Sequence, residues 1–344
     1  NRAPGLFRGP PRPDLQIEML RSRAMSSRTV ASLCLCLMTG SGGLVADEAG
    51  LDRQMVITFD DLPAQRAHAI PEERILAINE GLVTLLTEQA IPAVGFVNED
   101  KLFSNGAPAP VRVRLLELWL EAGLELGNHT FSHPDLHRVA LEEFKQDLIR
   151  GEQVTGALLA ARGAALRYFR HPFLHTGLDL ETKTALESLL TQRGYRVAPV
   201  TIDNSEWIFA RAYDAALDRD DDSLRARLGR EYLEYMMRMV KFYEGQSRGL
   251  FDREIPQVLL VHANALNADH LGELVEALRL RGYRFIDLDE ALQDPAYSSE
   301  DSYIGPGGIT WLHRWALTRK VDPSLFHGEP TTATWVQEIA GIRE

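Results

Sequence analysis

Cysteine is scarce in this chain. Its 344 residues include only Cys34 and Cys36. They sit one residue apart in an apolar run, a spacing that suits neither a structural disulfide nor a zinc knuckle. No cysteine follows residue 36, so a mature chain without that run has no cysteine nucleophile. Basic charge is also short: 37 Lys and Arg face 49 Asp and Glu, for a formal net charge of −12. A general nucleic-acid binder needs a basic face to neutralise phosphates, so no nucleic-acid partner is expected. Long apolar runs are missing too. Val30–Met38 (VASLCLCLM) is about nine residues, too short to cross a bilayer, and nothing later is longer and apolar enough. Hydrophobic residues at 45% and charged residues at 25% are ordinary globular values, which excludes a disordered or collagen-like chain.

What is present begins with that short run. Arg21, Arg23 and Arg28 precede it, and the small residues of Gly40–Ala46 follow it, with a cleavage point after Ala46. A charged head, an apolar stretch and a small-residue exit describe a signal peptide over residues 25–46. Residues 1–24, rich in Pro and Arg, read as a disordered leader or upstream sequence. A secreted or periplasmic protein follows, with no membrane span in the mature chain.

Beyond residue 50, short apolar runs alternate with longer amphipathic ones. The expected strands are Met55–Phe59, Ala93–Val97, Leu124–Gly127, Leu166–Phe169, Arg196–Ile202, Gln257–Val261 and Tyr283–Ile286. Helices are expected over Glu72–Gln89, Val111–Glu121, Leu141–Ala161, Leu180–Arg193, Ser223–Glu244 and Asp269–Leu280. Seven strands alternating with helices predict an α/β fold with a parallel sheet, either a barrel or a doubly wound sheet. The catalytic unit is expected over 51–293. Residues 294–344 break the alternation and read as an aromatic-containing C-terminal extension, whose Trp residues are more readily packing groups than sugar platforms.

The chemistry-bearing residues cluster where strands should end. Asp60 and Asp61 close the first strand, and charge is costly there unless something pairs or coordinates it. Gly127–His133 (GNHTFSH) follows the third strand. Its two histidines, four apart, can share a helical turn and point at one ion. His133/His137 and His171/His175 have the same spacing, and position after a strand is what favours His129. Arg170–Phe173 follows the fourth strand, Asp203–Trp207 the fifth, and His262 ends the sixth. Each has a plain structural explanation alone: a surface cation, a helix cap, a satisfied core histidine. Together they place acids, histidines and one arginine at the C-terminal ends of parallel strands, where α/β barrels build their sites.

In this order, Thr58–Asp61 (TFDD), Thr130-flanked His129–His133 (HTFSH), Arg170–Phe173 (RHPF), Asp203–Trp207 (DNSEW) and Leu259–His262 (LLVH) resemble the five motifs of the polysaccharide deacetylase family. This is the NodB-homology group, also classed as carbohydrate esterase family 4. The resemblance covers roughly residues 53–292. It implies a distorted (β/α)7 barrel and one divalent metal ion, usually Zn2+, with Co2+ or another divalent ion as alternatives. It implies Asp60 as general base, and Asp61, His129 and His133 as metal ligands. It further implies Arg170 as the group that orients Asp60 and keeps it ionised, His262 as general acid, Asp203 as the partner of His262, and Phe173 and Trp207 as walls of the sugar site. Two departures stand out. Glu206 occupies the position before Trp207 where an Asp is common, and a long insertion spans Ile208–Pro256.

The leading expectation is thus a metal-dependent hydrolase acting on an acetylated polysaccharide or oligosaccharide. The bond would be the N-acetyl of peptidoglycan- or chitin-type amino sugars, or the O-acetyl of xylan. A second enzyme reading keeps the barrel and changes the bond, to a non-peptide C–N bond of a small molecule or a lipid-linked sugar. A third, of another class, is a non-catalytic carbohydrate-binding protein.

Overall fold

The computed structural model describes residues 52–104 and 106–344, so the leader and signal segment expected over 1–46 lie outside the described residues. All seven expected strands form, and they make one parallel sheet: β1 (Arg53–Leu62), β2 (Ala93–Val97), β5 (Glu125–Asn128), β6 (Tyr168–Phe169), β7 (Arg196–Val197), β8 (Gln257–His262) and β9 (Tyr283–Phe285). The remaining strands, β3 (Phe103–Ser104) and β4 (Ala107–Pro108), form a small antiparallel hairpin after β2. The sheet order is β7-β6-β5-β2-β1-β8, with β9 added at the start of β1. The chain leaving β7 returns to β8: Ile202 bridges Leu259, and Leu260 N–H donates to the Ile202 carbonyl at 3.1 Å. The sheet therefore curls until its two ends meet. The single strand expected over Arg196–Ile202 is interrupted in the middle, where Pro199 has no N–H for a ladder.

Strand periodicity sorts the side chains into two layers. Val56, Val94, Phe96, Tyr168, Ala198, Val258 and Ile286 form one apolar cluster, all within 2% of complete burial. The alternate positions Met55, Ile57 and Phe59 of β1 belong to the larger core shared with the helices Glu72–Glu88, Glu206–Leu217, Asp222–Phe251 and Ala265–Leu280. Moving up β1 on the first face gives Val56, Thr58 and then Asp60; on β8 it gives Val258, Leu260 and His262. Each strand thus runs from apolar residues to a chemical group at its C-terminal end.

Two helical expectations change. Leu141–Ala161 is two helices, Leu141–Arg150 and Gln153–Ala160. The break falls at Gly151, where a Cβ would meet the Thr130 carbonyl carbon at 2.5 Å. The helix expected over Ser223–Glu244, inside the insertion after Ile208, forms and is longer: the insertion is the rest of Glu206–Leu217 and the 30-residue helix Asp222–Phe251, started by an Asp221 carboxylate that accepts the Leu224 N–H. Residues 294–344 contribute the helices Trp311–Thr318 and Thr334–Ala340. Trp315 is buried against Phe251 and Tyr297, and Arg227 stacks over Trp335. Among the described residues, no helix is long and apolar enough to cross a membrane.

Candidate active site

Asp60 and His262 sit side by side as register partners on β1 and β8. Beneath them, the fully buried Arg170 stacks its guanidinium 4.7 Å above the Phe96 ring and donates from Nη2 to Thr58 Oγ1 at 2.8 Å. Its Nη1 stands 3.6 Å from Asp60 Oδ1. Arg170 therefore faces Asp60 as the motif implied. Its effect on the charge is smaller than implied: burial pushes the Asp60 carboxyl up, and Arg170 and His262 only partly offset this.

Asp61, His129 and His133 bring one ligand atom each to within 4.8 Å of one another. The His129 tautomer is fixed, because Nδ1–H donates to the Arg170 carbonyl at 2.9 Å and leaves the Nε2 lone pair facing the aspartates, 3.7 Å from Asp60 Oδ2. His133 Nε2 lies 4.0 Å from Asp61 Oδ1. The two histidines do not share a helical turn. His129–His133 is an irregular loop in which Thr130 and His133 adopt left-handed backbone, at φ 69° and 57°. Asp61 (φ 72°), Phe173 (φ 56°) and Leu174 (φ 55°) do the same, so five of the ten non-glycine residues with positive φ among the described residues border this site. Strain of this kind persists only where surroundings over-determine it. Here the Asn98 amide donates to the His129 carbonyl, Asn128 Oδ1 accepts the Thr130 N–H at 2.6 Å, and Asp147 accepts the N–H groups of Phe131 and Ser132 at 2.9 Å.

These donors fit a divalent ion. Burial pushes both imidazoles down to about 3, so they are neutral and offer lone pairs. Burial raises the Asp61 carboxyl, but the Lys101 ammonium together with His133, His262 and His129 outweighs it and holds the group far below the usual carboxylate range. Asp60 Oδ1 is a buried acceptor without a hydrogen-bond donor among the described residues, and Asp61 Oδ1, equally buried, meets the Lys101 ammonium at 2.8 Å. One carboxylate and two histidines, with the His129 ring held by the Arg170 carbonyl and the His133 backbone held by Thr130 Oγ1, form a borderline donor set suited to zinc-like ions.

Lys101 was not anticipated. It lies on the 3-10 turn Glu99–Leu102 after β2, and its Nζ sits 2.8 Å from Asp61 Oδ1 and 2.9 Å from Asn98 Oδ1. Nothing in its sequence context marks it, because a lysine in a loop is ordinary surface composition.

The partner of His262 is also corrected. His262 Nδ1–H donates to Glu206 Oε2 at 2.8 Å, so Glu206 holds the role expected of Asp203. Glu206 is fully buried, and its other oxygen accepts from the side-chain amides of Asn264 and Asn267, the latter at 2.6 Å. Asp203 lies three residues earlier in the same loop. It accepts the Asn204 N–H at 2.8 Å, lines the same cavity, and its charge reaches Arg170. The first turn of the helix Glu206–Leu217 thus delivers the carboxylate that the loop was expected to supply. Burial opposes charging His262, but Glu206, Asp61 and Asp60 prevail and push it up to about 9.

All nine sequence-derived residues border one cavity of about 470 Å³ except Arg170, which lies below its floor. Phe173 is 41% exposed and packs edge-on to His133 at 4.4 Å, and Trp207 stands on another wall. A second group, Asp135, His137 and His175, also places donor atoms within 4.8 Å of one another. There His175 Nδ1 is hydrogen-bonded to Asp135 Oδ1 at 2.7 Å, and the two imidazoles stack 3.7 Å apart at 10°. Lone pairs lie in the ring plane, so stacked rings aim them side by side rather than at one point. This group buttresses the 173–175 loop.

Comparison with known proteins gives the same family. The polysaccharide deacetylase model matches residues 47–197, which contain the first three motifs and stop short of Asp203–Trp207 and His262. A peptidoglycan-N-acetylglucosamine deacetylase from Bacillus cereus is 24% identical over 154 residues, 45% of this chain and 46% of that protein. The chain thus spans about half the length of that curated relative. Among solved structures, a chitin deacetylase from the fungus Colletotrichum lindemuthianum has a TM-score of 0.47 at 19% identity, covering 70% of this chain and 88% of that one. A peptidoglycan deacetylase from Bacillus subtilis has a TM-score of 0.43 at 18% identity, covering 72% and 95%. The family that the five motifs resemble is thus the one whose model matches, over residues 47–197 of this chain.

Proposed function

We propose that the protein is an exported, metal-dependent deacetylase that hydrolyses the acetyl group of an acetylated saccharide, with N-acetyl amino sugars as the leading substrate class and O-acetyl sugars as the alternative. The observation that carries this reading is the convergence of Asp61, His129 and His133 next to Asp60 and His262 at the mouth of one barrel. Asp61 Oδ1, His129 Nε2 and His133 Nε2 would hold the ion. Bound there, a divalent cation polarises an acetyl carbonyl and lowers the pKa of a water molecule.

The chain's own groups divide the proton work. Asp60, poised between Arg170 and His262, accepts a proton from the attacking water. Its burial strengthens it as a base, because a raised carboxyl pKa means higher proton affinity. His262 donates a proton to the departing amine or alcohol. Glu206 keeps it charged at neutral pH and turns its Nε2–H into the cavity by binding Nδ1–H. Phe173 and Trp207 offer apolar faces to the sugar ring. No serine or cysteine nucleophile is needed.

The test is acetate release from acetylated chito-oligosaccharides, peptidoglycan fragments and acetylxylan, with bound metal measured on the same sample. We expect release that tracks metal content and is lost on chelation. A metal-loaded sample that releases acetate from none of them overturns the reading.

A further inference from the structure

The cavity is not built by the barrel alone. Pro306–Thr310, His313, Phe326 and Glu329 of the C-terminal segment line it, together with Tyr243 from the helix Asp222–Phe251. They close the side between the 173–175 loop and that helix. The loop 306–310 lies directly on the barrel: a Cβ on Gly308 would fall 1.8 Å from the Phe173 carbonyl oxygen.

This wall is fixed rather than hinged. Arg314, fully buried, reaches Asp301 Oδ2 at 2.7 Å and Thr176 Oγ1 at 2.7 Å, and lies over the Trp311 and Tyr303 rings. Lys183 pairs with the same Asp301 at 3.0 Å. Trp311 N–H donates to the Val200 carbonyl at 2.8 Å, and Tyr243 OH donates to Glu329 Oε1 at 2.9 Å. Beyond it, Glu344 ties the end of the segment back, accepting from Ser205 Oγ and from the Thr332 N–H. Buried ion pairs and hydrogen bonds at both ends of the segment oppose its lifting as a lid.

We infer that this wall makes the site end-on: the acetylated sugar it takes is free or is the last unit of a chain, and an interior unit of a long polymer is excluded. The inference rests on the deacetylase reading above and narrows its substrate class. An enzyme that works inside a polymer needs a groove open on both sides of the reacting unit. Here one side ends in Phe326, Glu329 and the 306–310 loop, and a space of about 470 Å³ is in the range of a small-molecule site.

The experiment uses the full metal-loaded chain and N-acetylglucosamine oligomers from one to six units, labelled at the reducing end. Mass spectrometry locates the lost acetyl. We expect one acetyl lost per molecule, always from the same terminal unit. We also expect kcat/KM to level off by the dimer, because a space of about 470 Å³ holds no more than the first units, and those outside it add no remote binding energy. Acetyl loss from interior units, or kcat/KM rising about tenfold or more from trimer to hexamer, overturns the inference. The Asp60→Asn variant gives a reading independent of turnover: its affinity for the same oligomers should also level off by the dimer. An affinity that climbs through the hexamer, or binding to none of them, overturns the inference. Level affinity with no acetate released by the wild type sinks the deacetylase reading and leaves the wall's selection of chain ends standing. Widening the wall by the double change Phe326→Ala and Glu329→Ala should bring interior units into the product pattern.

Discussion

The cavity has two sides of different origin. One side comes from strand ends: Asp60 and Asp61 on β1, the loop after β5, and His262 on β8. The other comes from a segment that joins no strand, Pro306–Glu329, backed by Tyr243. The first side is polar, buried and strained, with charged groups held by second hydrogen bonds. The second mixes glycine, proline and aromatic residues held by packing and one buried arginine. The difference separates chemistry from selection. Changes on the strand side should abolish turnover, and changes on the other should alter which molecule is turned over.

The largest effects belong to the strand side. Asp60→Asn should lower kcat by at least about a thousandfold, within the range for a lost general base, while metal content stays near wild type. His129→Ala should lose both turnover and the ion. Metal analysis beside the acetate assay separates the two, and an Asp60→Asn protein that loses its metal would mean the roles of the two aspartates are reversed.

Next comes the acid. Glu206→Gln removes the negative charge that raises His262 to about 9. A general acid works only while protonated, so activity falls as pH rises through its pKa. Losing Glu206 lowers that pKa, and the alkaline limb of the pH–rate profile should move to lower pH. The rate near neutrality should fall by about ten- to a hundredfold. Asp203→Asn should leave the alkaline limb where it was. The two profiles, measured side by side, decide which carboxylate serves His262.

Lys101→Met tests a smaller effect. The ammonium 2.8 Å from Asp61 Oδ1 competes for the carboxylate that a cation would take. Removing one positive charge should tighten ion binding by about tenfold, or ~1.4 kcal/mol, read by competition with a chelator. Unchanged or weaker affinity would show that Lys101 supports the ligand instead of opposing the ion.

The same division explains what the sequence made visible. All seven strands were legible because buried parallel strands read as apolar runs, and the strand-end acids and histidines stood out because charge is costly there. Asp203 is the partner of His262 that the family resemblance implies, as the acid that opens the fourth motif. A helical first turn instead carries Glu206 inward, and a three-residue shift of that kind has no signature in spacing. The helix expected over Leu141–Ala161 breaks at Gly151 for a reason found only in the fold, the close passage of the Thr130 backbone. Lys101 and the wall were illegible for a related reason. Their roles come from long-range placement, and neither a loop lysine nor a Gly-Pro stretch is distinctive locally. The leader over 1–46 lies outside the described residues.

Gly308→Ala carries the smallest expected effect and tests the boundary between the two sides. The new methyl would lie 1.8 Å from the Phe173 carbonyl oxygen, so loop 306–310 or the 173–175 strap must move. Overpacking of this kind costs about 1–3 kcal/mol, which lowers Tm without unfolding a chain this size. Phe173 touches His133 edge-on, yet His133 is also held by its own backbone N–H on Thr130 Oγ1 at 3.1 Å. The displacement should therefore be absorbed by the sugar-facing ring before it reaches the ligand. KM should rise a few-fold, with kcat and metal content almost unchanged, because binding shared equally by ground and transition states affects KM alone. A fall in kcat together with loss of metal would show that the wall also supports the ion site, and the separation of chemistry from selection would fail at this contact.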